Sequence, residues 1–265
     1  MRSLAFVNRK GGCGKTTTAV NVAHALVIRG RQVLLVDMDP QAHTTLSLGI
    51  SPDSLPASVC DLLSGEISHD QVVVQTHIPG LSLIPSSRNL TQMENEPASC
   101  RITETALAEH LPLHTRYTDY VVIDLPPVVN MLFISALVAA REVYIPMPMH
   151  FLAMEGLAEM MRLIYMVNAR WNPRLRLQGI IPTFFNKNTR IAREICQEII
   201  QNFGKDKLMP GIRMNVSLAE APGTGTTIFE YAPKSIGAMD YDLLVNRIEM
   251  LSEQSVGSIP DNNKP

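Results

Sequence analysis

Two lysines bracket a glycine run near the start of the chain, Lys10-Gly11-Gly12-Cys13-Gly14-Lys15-Thr16-Thr17, and residues of these types at this spacing can bind phosphate. Glycines let the backbone curl until successive N–H groups point at phosphate oxygens, and a helix starting here adds the positive end of its dipole. Lys15 is placed to reach the β- and γ-phosphates of a nucleoside triphosphate, and the Thr16 hydroxyl to ligate Mg²⁺. Gly11, Gly12, Cys13, Gly14, Lys15, Thr16 and Thr17 are therefore candidate nucleotide-binding residues. The run departs from the G-x-x-x-x-G-K-[ST] pattern: Asn8 or Arg9 stands where the first glycine belongs, and Lys10 directly precedes Gly11.

Two carboxylate strings could complete such a site. Val33-Leu34-Leu35-Val36 runs into Asp37-Met38-Asp39-Pro40-Gln41. Two aspartates two residues apart leave one face of an extended chain, at the sheet edge where open α/β folds bind ligands. One carboxylate can hold Mg²⁺ through water while the other positions the attacking water. The second string, Tyr120-Val121-Val122-Ile123-Asp124-Leu125-Pro126-Pro127, ends an apolar strand in Asp124, placed to bind Mg²⁺ through water. Its proline pair makes a rigid turn without spare N–H groups.

Elements with a regular alternation must position these groups. Short β-branched apolar runs recur at Leu4–Val7, Gln32–Val36, Leu81–Ile84, Tyr120–Ile123, Val143–Pro146 and Leu177–Ile181. Between most of them lie stretches with helical spacing, such as Thr17–Ile28, 151–169 and 189–203. Strand–helix alternation predicts an α/β fold: a doubly wound, mostly parallel twisted sheet with helices on both faces. Val128–Ala140 contains Asn130 and Ser135 and reads as a buried helix, and Val59–Leu63 as a short one. One domain is expected over 1–251, followed by a polar, disordered tail over 252–265.

Composition removes several alternatives. The chain has 265 residues, 46% of them hydrophobic, enough for a sizeable core. A net charge of −2 excludes a strongly basic nucleic-acid protein but leaves room for a local basic patch. Cys13, Cys60, Cys100 and Cys196 are widely spaced, which argues against a structural zinc, an iron–sulfur cluster or a disulfide framework, and fits a reduced cytoplasmic setting. The seven histidines show no H-x-x-H spacing. The N-terminal apolar run is too short for a signal peptide or a membrane span. Met147, Met149, Met154, Met160, Met161 and Met166 are expected in core or dimer-interface packing, and Cys13 as a packing residue in the loop.

The K-G-G-x-G-K-T-T loop resembles that of the ParA/MinD superfamily of deviant-Walker P-loop ATPases. In that family the early lysine crosses the dimer to the phosphates on the other subunit, and Lys10 is the matching residue. Such a charge supplied in trans is worth on the order of 10³–10⁵ in rate in other NTPases. The D-x-D-P-Q string resembles the partition-ATPase branch, which implies that Asp39 orients the nucleophilic water while Asp37 supports the metal. Lys10, Lys15 and Asp39 are thereby the implied catalytic residues, and Thr16, Asp37 and Asp124 the metal residues. Downstream, Asn186–Arg190, Asn215–Pro222 and Phe229–Gly237 are similar to strings of the small chromosomal ParA (Soj) subfamily, extending the likeness over roughly residues 2–250.

From this resemblance follow ATP and Mg²⁺ as cofactors, and a homodimer in the ATP state. The stretch 211–222, with Pro222, is implied beside the adenine. Also implied are non-specific DNA binding, a ParB-like or cargo adaptor partner, no membrane attachment and a cytoplasmic, nucleoid-associated location. Arg190 matches one DNA-binding arginine of the subfamily; Ser217 stands where another basic residue is common, and Arg213, four residues earlier in a different register, is the candidate to replace it. Around Arg190 lie Lys187, Arg193, Lys205, Lys207 and Lys234, cations from which a DNA-binding patch on the dimer is expected. Since the chain begins at the first strand, operator-specific repression through a preceding helix-turn-helix is not expected. A MinD- or FlhG-like regulator of division or flagellar placement is the alternative, and the absence of an apolar face in 252–265 speaks against it. A nitrogenase-iron-protein-like role lacks a suitable cysteine pair. A dethiobiotin-synthetase-like ligase is disfavoured by the D-x-D-P-Q and L-A-E-A-P strings.

Overall fold

The computed structural model describes residues 1–87, 90, 102–111 and 118–256. Its seven strands are β1 (Arg2–Phe6), β2 (Val33–Asp37), β3 (Val74–Gln75), β4 (Leu81–Ile84), β5 (Tyr120–Asp124), β6 (Glu142–Pro148) and β7 (Arg176–Thr183). They form one sheet in the order β3-β4-β2-β5-β1-β6-β7. Every pairing is parallel except that of β3 with β4. The six apolar runs are all strands. β3 was not expected, because two residues carry no periodicity.

β1, β2 and β5 are buried on both faces, and their side chains alternate between two cores. Leu4, Phe6, Val33, Leu35, Tyr120 and Val122 enter one core, and Ala5, Val7, Leu34, Val36, Val121 and Ile123 the other. The helix Lys15–Ile28 covers the first core together with the long helix Ile236–Val256, through Tyr241, Leu244, Val245 and Ile248. The helices Met131–Ala139, Ala153–Arg170 and Arg190–Phe203 cover the second. Met147 and Met160 lie in that second core, and Met149, Met154, Met161 and Met166 pack against it, so the methionine stretch is core packing.

The Ile236–Val256 helix runs past the boundary expected at 251, so 252–256 is helical backbone rather than tail. Residues 257–265 and Cys100 lie outside the described residues. Among the described residues, no helix is long and apolar enough to cross a membrane.

β1 lies where the winding reverses: β2 to β5 all lie on one side of it, and after β5 the chain crosses to β6 and β7 on the other. The loops leaving β1, β2 and β5 therefore meet at the C-terminal edge of the sheet, the crevice that open α/β folds use for ligands.

Candidate functional site

The loop after β1 is tied down before it curls. Val7 N–H donates to the Tyr144 carbonyl at 3.0 Å, and the Asn8 side-chain amide donates to the Pro146 carbonyl at 2.8 Å. Asn8 Oδ1 then accepts from Lys10 N–H at 3.0 Å, which turns the chain where a first glycine would otherwise stand. Gly14, at φ +89°, caps the helix Lys15–Ile28 in the left-handed region that favours glycine. That helix has no side-chain cap and no acid in its first turn, so its leading N–H groups remain available to an anion. Lys15 is 7% exposed, with its ammonium 3.4 Å from the Lys10 carbonyl. Burial pushes the Cys13 thiol up, which together with its 1% exposure makes it a packing residue.

Pairing of β2 with β5 sets Asp37 beside Asp124, and pairing of β5 with β1 sets Asp124 beside Phe6, at the root of the loop. Asp124 Oδ2 accepts from Thr16 Oγ1 at 2.7 Å and from Thr44 Oγ1 at 2.8 Å. Asp124 Oδ1 is buried and has no hydrogen-bond partner among the described residues. A buried carboxylate oxygen without a donor is costly unless a cation or its water supplies one. Burial pushes the Asp124 carboxyl up to about 6, with Asp39 adding to it, against the pull of Thr16, Thr44 and Lys15.

The expected geometry of the aspartate pair needs correction. β2 ends at Asp37 and the chain folds back, Asp39 N–H donating to Asp37 Oδ1 at 3.1 Å. The two carboxylates therefore do not leave one face of an extended strand. Asp37 Oδ2 accepts from Thr45 N–H at 2.9 Å and Thr45 Oγ1 at 2.7 Å, so both its oxygens are engaged by protein donors. Burial, and then the charge of Asp124, push its carboxyl up to about 8. Asp37 anchors a loop, and Asp124 retains the open oxygen. Asp39 is 7% exposed; its Oδ1 accepts from Gln41 N–H at 2.9 Å, and its carbonyl accepts from Ser86 Oγ at 2.7 Å. Ala42, between this turn and the two threonines, has φ +54°. Strain of that kind persists only where the surrounding contacts hold it.

Thr44, Thr45 and Ser86 escaped the sequence reading. The threonines could have been found as paired hydroxyls just beyond D-x-D-P-Q. Ser86 gives no such signal, since only the β2–β4 pairing brings it here.

Beside the loop lies a cavity of about 380 Å³, lined by Gly14, Thr17, Thr183, Phe184, Met214, Asn215, Val216 and Leu218 among others. Its walls are mainly apolar. Pro222 is not among the lining residues; it sits on the turn Ala221–Thr224. Thr183 Oγ1 donates to the Cys13 carbonyl at 2.9 Å, joining this cavity to the loop.

The four expected cation positions do not act alike. Lys187, Arg190, Arg213 and Lys234 are all exposed, but two of them are paired. Arg190 pairs with Glu194 one turn on, at 2.6 Å. Arg213 is bound to the buried Asp240 through Nη2 at 2.6 Å, Nε at 3.0 Å and its backbone N–H at 2.8 Å. Lys10 does not lie over Thr16 and Asp124; its ammonium is 2.6 Å from His150 Nε2.

Residues 1–177 match the model of a family described as an AAA domain. The chain is similar to the chromosome partitioning protein ParA of Caulobacter vibrioides, 35% identical over 251 residues and 94% of each chain. It is similar to the chromosome-partitioning ATPase Soj of Thermus thermophilus, 38% identical over 248 residues, covering 94% of this chain and 95% of that one. Among solved structures it resembles cobyrinic acid a,c-diamide synthase from Mycobacterium smegmatis with bound ATP analog and magnesium, at a TM-score of 0.80 and 32% identity over 97% of both chains.

Proposed function

The chain belongs to the ParA/Soj-type ATPases of the ParA/MinD superfamily, and from that premise we propose that it is a partition or positioning ATPase. In this reading its ATP state is a homodimer that binds DNA without sequence preference and moves a cargo through an adaptor protein in the cytoplasm. The observation that carries the nucleotide half is the Thr16–Asp124 pair, with its free Oδ1, at the mouth of an uncapped helix.

Each residue then has a task. The N–H groups of the glycine loop and Lys15 hold the β- and γ-phosphates, and the cavity beside Thr17 and Met214 takes the adenine. Thr16 Oγ1 and Asp124 fit Mg²⁺, which when bound neutralises charge between the β- and γ-phosphate oxygens. Asp39 orients the attacking water, on a turn that Asp37, Thr45 and Ser86 hold rigid. Lys10 serves the phosphates of a second copy. Supporting that dimer, Val128, Met131, Phe151 and Leu152 are exposed on the segments leaving β5 and β6, apolar surface that a second copy would cover. DNA contact is supported by the exposed Lys187, Arg190 and Lys234, with Arg213 already committed to Asp240.

Asp39→Ala tests the catalytic assignment. ATP-dependent dimer should accumulate, measured by size exclusion with light scattering, while phosphate release drops to background. Normal turnover in that variant would remove Asp39 from the mechanism.

A further inference from the structure

The short contact between Lys10 Nζ and His150 Nε2, 2.6 Å, constrains the imidazole. An ammonium has three donors and no acceptor, so His150 Nε2 must accept, which places the ring proton on Nδ1 and leaves the ring neutral. His150 lies two residues beyond the end of β6 and is held by backbone bonds, its N–H to the Pro148 carbonyl and its carbonyl from Ala153 N–H, both 3.0 Å. The next residues, Phe151 and Leu152, are 84% and 63% exposed. Arg9, beside Lys10, pairs with Glu159 on the helix Ala153–Arg170. The cationic end of the loop is thus fastened on the β6 side of β1, whereas Thr16, Asp37 and Asp124 gather on the β5 and β2 side.

We propose that His150 is a positioning residue for Lys10: its neutral imidazole accepts one ammonium N–H and holds the lysine on the face a second copy covers, leaving two donors for that copy's phosphate oxygens. The inference rests on the reading of Lys10 as a residue acting in trans. A lysine on a flexible four-carbon stem loses much rotamer freedom when it docks, and a fixed acceptor in its own chain removes part of that loss beforehand. Protonating the ring puts two cations in contact and expels the lysine. The ionisable groups on the surrounding segments are Arg9 and Lys10 in the loop, Glu155 and Glu159 on the following helix, and Lys187 and Arg190 beyond β7; segment 125–130 carries none.

The test measures protein-concentration-dependent ATP turnover at one fixed pH. Variants are Lys10→Ala, His150→Ala, His150→Gln and the Lys10→Ala/His150→Ala double. His150→Ala should lower the Lys10-dependent turnover by roughly 10- to 100-fold, with the KM for ATP little changed. His150→Gln, whose amide oxygen can also accept, should keep most of the turnover. In the Lys10→Ala background the second substitution should add nothing. Wild-type turnover in His150→Ala with Lys10→Ala inactive overturns the role of His150 alone, as does an additive loss in the double variant or a His150→Gln turnover as low as that of His150→Ala. Wild-type behaviour of Lys10→Ala overturns the trans-lysine reading itself.

Discussion

Asp37 and Asp124 sit side by side, both fully buried, and burial decides their chemistry more than their hydrogen bonds do. An unfolded aspartate titrates at about 3.9. Both native carboxyls are raised above that, Asp37 to about 8 and Asp124 to about 6. Across that window the native state binds more protons than the unfolded one, so the contribution to stability is full in acid and is lost as pH rises. Urea midpoints of the nucleotide-free protein at about pH 5, 6.5 and 8 should fall in that order, and Asp37→Asn should flatten the series. A midpoint series of equal slope in the variant would show that Asp37 is not the group responsible. The same burial explains why Asp124 suits a cation: a divalent charge supplies what its unpaired Oδ1 lacks.

Between residues and fold stand elements whose ends are prepared for their tasks. The phosphate helix is left uncapped, and the segment His43–Ser47, which carries Thr44 and Thr45, is braced from behind. That brace is a backbone-on-backbone contact: a Cβ added at Gly225 would lie 2.6 Å from Gly49 Cα, and Gly225 has φ +69°. Neither backbone can move aside as a flexible side chain would. Gly225→Ala should therefore cost about 1–3 kcal/mol, read as a lowered urea midpoint at unchanged m-value. Turnover should fall with it, since the threonines lose their footing. A variant with the wild-type midpoint would mean that the turn shifts freely.

For the molecule as a whole, distribution of charge matters more than its sum of −2. If Lys187, Arg190 and Lys234 meet phosphates, ATP-dependent DNA retention should fall steeply with salt, and Arg190→Glu should abolish it at physiological ionic strength. Arg213→Ala should behave differently. It strips a guanidinium from Asp240, whose side chain is 7% exposed, so melting temperature should drop while the salt slope of DNA binding stays near wild type. Salt-independent retention, or loss of DNA binding in Arg213→Ala without loss of stability, would reverse these assignments.

Local signals carried far in this chain. Residues 10–17 lie together in sequence, so their phosphate-binding chemistry and the strand–helix context around them were readable directly. Apolar period and run length likewise placed six of the seven strands and the helices Met131–Ala139 and Val59–Leu63, because those patterns reflect burial on a sheet. The Lys10–Thr17 loop, its two aspartate strings and the C-terminal strings also pointed to the family that the comparisons establish. Tertiary structure alone decided how the loop is used. Bonds from Asp39 and Thr45 occupy both oxygens of Asp37 while Asp124 keeps an Oδ1 without a partner among the described residues, and the pairing of β6 beside β1 brings His150 to Lys10, 140 residues away. Arg213 was diverted to Asp240 in the same way. The Lys10–His150 and Arg213–Asp240 contacts join side chains distant in sequence, and neither leaves a trace in local residue spacing.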